Sequence, residues 1–213
     1  FFTPLIQDKI FFISLLSIYI LGLLSDLNFL SSPAKRIFFQ SLIIFIFIVT
    51  SGIKIESISI NFFDQLLKVN FFNVSFLLLC LLVLINGTNF IDGLNTLVVN
   101  YFLICLLIIL VASTHYNLKL DYDLFNNIIM LLTIILLFNF FGKSFLGDSG
   151  TYSLAFLVGI LCIKFINNNT PTVSPYFIAL MLWYPAIENL FSIIRRAISK
   201  KNYPMLIIYT YII

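Results

Sequence analysis

An all-α, polytopic transmembrane helical bundle is the fold class this sequence predicts, and three observations predict it. The 213 residues are 61% hydrophobic and 10% charged, where an ordinary soluble domain holds about 45–50% and about 25%. The mean hydropathy is +1.09. The apolar residues fall in about seven long blocks, each close to the length that crosses a hydrocarbon layer. Inside that layer every backbone amide must be satisfied within the protein, which leaves helices or a closed barrel. Barrel strands would alternate apolar and polar residues, and these blocks do not.

In chain order the blocks are 10–24, 37–53, 71–85, 98–112, 128–141, 152–166 and 176–194. The first opens after FFTPLIQDK, which has no basic leader and no small-residue cleavage site, so no cleavable signal is read there. The second follows SSPAKR. Between the second and third, ISINFFDQLL within 54–70 reads as an amphipathic piece lying on the membrane surface. The third and fourth flank the polar island NGTNFIDGLNTL, 86–97. The fifth and sixth flank GKSFLGDSGT, 142–151. The seventh carries Pro185, expected to kink it, and Glu188 one turn on. Length fits one integral-membrane domain over 1–213, and no repeat or soluble domain is visible. The absence of an initiator Met predicts that the chain is truncated at its start.

The connections divide into two alternating sets. Segments 25–36, 86–97, 142–151 and 195–203 carry Lys35, Arg36, Lys143, Arg195, Arg196, Lys200 and Lys201 against Asp26, Asp92 and Asp148. The other set balances Lys9, Lys54, Lys68, Lys119 and Lys164 against Asp8, Glu56, Asp64, Asp121 and Asp123. Positive charge stays on the cytoplasmic side, so the first set is expected there. Three aspartates then meet at the cytoplasmic ends of different helices. An aspartate between two membrane-grade blocks is costly unless it faces water or a ligand, which marks Asp92, with Asn86, Asn89 and Asn95 as helpers. Carboxylates interspersed with bases at a membrane surface suit a divalent metal and a phosphorylated substrate, because Mg²⁺ binds through one or two carboxylates plus phosphate oxygens.

Other signals point nowhere. Cys80, Cys105 and Cys162 lie inside apolar blocks at spacings of neither a disulfide framework nor a zinc site. GDSG also surrounds the nucleophile of serine proteases, but the lone histidine, His115, is expected on the opposite face. NGT at 86–88 and NNT at 168–170 fit a glycosylation pattern too weak to use.

Four segments, taken together and in order, resemble the polyprenyl-phosphate N-acetylhexosamine-1-phosphate transferases. NFIDGLNTL is similar to that family's NxxDGLDGL signature. GLLSDL (22–27) followed by SPAKRIFFQ (32–40) resembles its G-[FL]-x-D-D and P-x-x-[KR]-[LR]-x-x-Q segments. NFFGKSFLGDSGTYSLAF (139–156) resembles its N-x-x-x-A-K-x-F-x-GDSG-[ST] segment, and YPAIENLFSIIRR (184–196) its P-x-x-[DE]-x-x-x-x-x-x-R-R helix. The resemblance implies that undecaprenyl phosphate attacks the β-phosphate of a UDP-N-acetylhexosamine in a bacterial inner membrane, initiating a surface polysaccharide and releasing UMP. It implies a Mg²⁺ cofactor, with Mn²⁺ as substitute, a cytoplasmic active face, a lipid bilayer but no nucleic acid as partner, and a homodimer as a further expectation. By motif position it makes Asp148 a metal ligand. Asp26 and Asp92 orient the lipid phosphate or hold the metal. Asn89 and Asn139 contact the nucleotide sugar, Lys35 and Lys143 its phosphates, and Phe145 the uracil.

The sequence departs from that pattern in places. Ser25 stands for the first acid of the acidic pair, and Asn95 for the second acid of the central signature. The early HKxxxP…GG loop and the late His-x-His-His motif are absent. A one-base shift within plausible codons for Met205–Ile212 spells Ala-Asp-Asn-Leu-His-Ile-His, which predicts a frameshift near residue 204. The rival readings are an inactive or truncated homologue, and a transporter or lipid-binding scaffold. A transporter would place its polar residues at mid-bilayer in broken helices.

Overall fold

A computed structural model describes residues 4–93 and 96–202, and among these there are helices and no strand. The long helices are α1 (Pro4–Asp26), α2 (Pro33–Ser51), α4 (Asn70–Ile91), α5 (Leu97–Tyr116), α6 (Tyr122–Phe140), α7 (Gly147–Asn168) and α9 (Trp183–Asn202). Two short ones, α3 (Asn61–Leu67) and α8 (Pro175–Met181), complete the described set. Among the described residues six helices are long and apolar enough to cross a membrane, and α8 with α9, bent by 56°, counts as a seventh if the pair is one span. The all-α polytopic bundle expected from composition is therefore the architecture found.

The two sets of connections separate to opposite ends of the bundle. At one end the Asp26 carboxylate meets the start of α7, Thr151 meets Asn89 of α4, and the Thr96 amide meets Asn139 of α6. At the other end Asn73 holds Ile55, Asn167 holds Lys54, and Asn169 holds Lys119 through backbone groups. His115 belongs to the last turn of α5 and so lies at the end away from Ser149. No Ser-His pairing is available to the GDSG segment.

α7 is the central element, with 61% of its span buried, against 17% for α6. It packs on α1 and α4, and the aromatic contact of Phe156 with Phe11 and Phe47 fills the space between α1, α2 and α7. Close backbone approach needs residues without side chains. A Cβ on Gly22 of α1 would stand 2.4 Å from the Ser149 Cα of α7, and one on Gly87 of α4 would stand 2.0 Å from the Pro185 carbonyl oxygen of α9.

Two expected boundaries differ. Residues 86–91 continue α4 rather than opening a polar connection, because their side chains bond back onto the helix: Asn86 Nδ2 donates to the Leu82 carbonyl and Thr88 Oγ1 to the Leu84 carbonyl. Residues 195–202 likewise continue α9, where the Arg196 guanidinium lies over the Phe90 ring at 5.0 Å. The bend expected from Pro185 is present, at Leu182. Proline has no N–H for the carbonyl four residues earlier. That orphan, the Met181 carbonyl, accepts instead from the Tyr101 hydroxyl and, at 3.8 Å, from Cys105 Sγ. In 54–70 the amphipathic piece is the short α3, with Phe62 exposed and Leu67 buried. Asp64 ties its first turn to the preceding loop through Ser57 Oγ and the Ile58 amide.

Candidate functional site

Three helix termini build the site, and α7 supplies its floor. Asp148 is the second residue of α7. Its Oδ2 accepts from Arg36 Nη1 at 2.8 Å, Ser25 Oγ at 2.5 Å and Tyr152 OH at 3.2 Å. Arg36 Nη1 also reaches Ser25 Oγ at 2.9 Å. Both members of the ion pair are partly exposed, 24% for Arg36 and 21% for Asp148, so the cluster opens to a ligand. Asp148 Oδ1 accepts no hydrogen bond among the described residues.

Asp26 does different work. Its Oδ1 accepts from the Asp148 amide at 2.8 Å and its Oδ2 from the Ser149 amide at 3.1 Å. Those amides are among the unpartnered donors that begin every helix, and a carboxylate there also complements the helix dipole. The last residue of α1 thus caps the first turn of α7. Gly147 makes room for it: its φ is +63°, and a Cβ there would lie 2.9 Å from Asp26 Oδ2. Helix N-termini commonly take phosphate; here the Asp26 carboxylate already holds that position, which leaves phosphate to side-chain cations.

Asp92 caps the C-terminal end of α4, half-buried, and makes no hydrogen bond or ion pair among the described residues. Burial, and then the charges of Asp148 and Asp26, push its carboxyl up to about 6. The third carboxylate therefore lies within electrostatic reach of the other two. One turn back on α4, Asn89 Oδ1 accepts from Thr151 Oγ1 at 3.4 Å. Further in, Asn86 Nδ2 donates to Gln40 Oε1 at 2.9 Å, leaving the buried Gln40 Nε2 without an acceptor. Asn139 is buried and accepts from the Thr96 amide at 2.9 Å, which ties the residue before α5 to α6.

The remaining expected site residues stand apart. Lys35 and Lys143 are exposed and form no salt bridge among the described residues. Phe145 is 70% exposed. Asn95 lies outside the described residues, as does the 203–213 segment on which the frameshift expectation falls. Tyr152, Thr151 and Gln40 join the site without having been singled out, and Arg36, expected among the bases of this end, is the cation that meets Asp148. The P-x-x-[KR]-[LR]-x-x-Q spacing held the signal for two of them, since counting from Pro33 puts the base at Arg36 and the amide at Gln40.

The donor set fits a hard divalent cation. Asp148 Oδ1 and the Asp92 carboxylate are oxygen ligands without hydrogen-bond donors, while both Asp26 oxygens are engaged. Among the described residues no three acidic, His or Cys side chains come together as a metal-holding group, so any cation here would have at most two carboxylates from the protein. Two carboxylates beside substrate phosphates are what Mg²⁺ usually takes.

Fold and site together define an integral-membrane protein with an open cluster of carboxylates and a guanidinium at one end of its helical bundle. The model of the family described as glycosyl transferase family 4 matches residues 9–166, and the chain belongs to that family. A probable undecaprenyl-phosphate N-acetylglucosaminyl 1-phosphate transferase of Bacillus subtilis (strain 168) is 28% identical over 185 residues, covering 86% of this chain and 51% of that relative. The chain spans about half the length of that curated relative. No solved structure matches.

Proposed function

We propose that the protein transfers N-acetylhexosamine-1-phosphate from a UDP-sugar to undecaprenyl phosphate, on the cytoplasmic face of a bacterial inner membrane, as the first step of a surface polysaccharide. Family membership supports the reaction class. The observation that carries the reading is the cluster of Asp26, Asp148 and Arg36 at one end of the bundle, with Asp92 within electrostatic reach of both acids. An oxygen of the lipid phosphate bonds to the β-phosphorus, the bond from that phosphorus to the bridging oxygen breaks, and UMP leaves with the electron pair. Such a step needs alignment and charge neutralisation more than covalent help from the protein. Arg36 provides fixed positive charge beside Asp148, with Lys35 and Lys143 exposed for the phosphates. Asp148 Oδ1 and Asp92 would hold Mg²⁺, which supplies neutralisation of the phosphate oxygens when bound.

Membranes containing the protein, given radiolabelled UDP-N-acetylhexosamine and undecaprenyl phosphate, should release UMP and form a lipid-linked pyrophosphoryl sugar. The release should stop in excess chelator. Turnover that persists without divalent cation would sink the metal assignment, and absence of lipid-linked product with every UDP-HexNAc would favour an inactive homologue. The transporter reading draws on the bent α8–α9 pair, but the Met181 carbonyl freed at the break already accepts from Tyr101 and Cys105 rather than facing a substrate unpaired.

A further inference from the structure

At the end of the bundle away from Asp148, the start of α1 and the ends of α2 and α7 enclose a cavity of about 470 Å³. Phe11 and Phe47 form an apolar side; Lys54, Glu56, Lys164 and Asn167 form a polar one. The cavity is built rather than draped. Asn167 Nδ2 donates to the Lys54 carbonyl at 2.6 Å, and Asn167 Oδ1 accepts from the Glu56 amide at 3.5 Å, so the loop bearing Lys54 is stitched to α7.

The two lysines are not consumed by the helix ends beside them. The Ile48 carbonyl of α2 is taken by the Gly52 amide. The Phe165 carbonyl is taken by the Asn169 side chain, and the Ile166 carbonyl by the Asn169 amide and Thr170 Oγ1. Neither lysine forms an ion pair among the described residues, where the salt bridges are Arg36–Asp148 and Arg195–Glu188. Lys164 lies inside a candidate span, about one turn from its end, with its ammonium 5.8 Å from the Phe11 ring centroid. A lysine that close to a helix end can carry its ammonium to the interface, where lipid phosphates lie. Among the described lining residues two lysines stand against one acid, Glu56.

We propose that this cavity binds the phosphodiester headgroup of an anionic phospholipid, its phosphate held by Lys54 and Lys164. A headgroup fits better than a soluble anion because Phe11, Phe47 and Ile53 give the lining an apolar side and the cavity lies beside the ends of the candidate spans α2 and α7. It is not the nucleotide site: Lys164 is about 24 Å along α7 from Asp148 at the helical rise. The inference does not depend on the transferase reading, since it concerns other residues and a readout other than activity.

The test is thermal unfolding of the full chain in a zwitterionic detergent, titrated with short-chain phosphatidylglycerol, with phosphatidylcholine, and with inorganic phosphate. At a ten-fold excess over Kd, phosphatidylglycerol should raise Tm by about 3–6 °C. Phosphatidylcholine and inorganic phosphate should not, and Lys54→Gln with Lys164→Gln should abolish the shift. An equal shift from inorganic phosphate would make this a free-anion site and overturn the lipid assignment. An equal shift from phosphatidylcholine, or an unchanged shift in the double variant, would overturn the site. If the double variant does not fold, Lys164→Arg should keep the response and Lys164→Gln alone should weaken it, and the reverse order is equally decisive against it.

Discussion

The Asp26 carboxylate receives the backbone amides of Asp148 and Ser149, so the end of one membrane span caps the beginning of another. The acid at the foot of α1 therefore acts on the acid of α7 through the backbone, while the Asp148 carboxylate keeps one oxygen for a ligand. A positioning role and a proton-transfer role for Asp26 make different kinetic predictions.

If Asp26 positions α7, Asp26→Asn should lower kcat about 10²-fold, the cost of a small misplacement of reacting groups. KM should change little, and the acid limb of the pH profile should remain. Asn keeps one acceptor but turns an amide donor toward a backbone N–H. Loss of the acid limb in the variant would instead make Asp26 the titrating base.

Gly147→Ala tests the same joint from the other side. A Cβ there meets Asp26 Oδ2 at 2.9 Å, in a φ of +63° that alanine reaches only at a cost of about 1–2 kcal/mol. The variant should lose thermal stability and should show the kinetic defect of Asp26→Asn. A stable variant with full turnover would mean that the cap is dispensable.

Asp148→Asn should reduce turnover by roughly 10³-fold or more, since charge neutralisation by a metal supplies several kcal/mol in such reactions. The Asn oxygen could still accept from Arg36, so the fold should survive. An unchanged Tm with near-zero UMP release separates this from misfolding, and normal turnover would remove Asp148 from the metal site.

These roles were only partly legible in the sequence. Seven apolar blocks gave the spans because lipid leaves the backbone one solution over so long a stretch. The three carboxylates came together because alternating spans force every second connection to one end. The island at 86–97 misled because polar residues were taken for loop, whereas Asn86 and Thr88 bond to carbonyls of their own helix. Nothing local to SDL or GDSG announces that Asp26 will cap α7. That depends on the docking of α1 on α7, for which Gly22 and Gly147 make the room. The phosphate role was given to Lys35 rather than Arg36, since adjacent residues on a helix face different ways and only the packing of α2 decides which one meets Asp148.

The last prediction concerns pH. The Asp92 carboxyl is pushed up to about 6 by burial and by Asp148 and Asp26, from an ordinary value of 3.8. The folded state therefore prefers the protonated form. Between those two values it binds more protons than the unfolded chain, so stability falls as pH rises through the window. The contribution is present in full below 3.8 and lost above about 6. Asp92→Asn should remove this slope and leave the metal-free protein more stable than wild type at pH 7. A divalent cation must displace the Asp92 proton, so its affinity should weaken as pH drops below about 6 and the variant should lose that dependence. Thermal unfolding from pH 5 to 8, with and without Mg²⁺, checks both parts. A wild-type Mg²⁺ shift that is equal at pH 5 and pH 8 would take Asp92 out of the cation site and leave Asp148 to hold it alone.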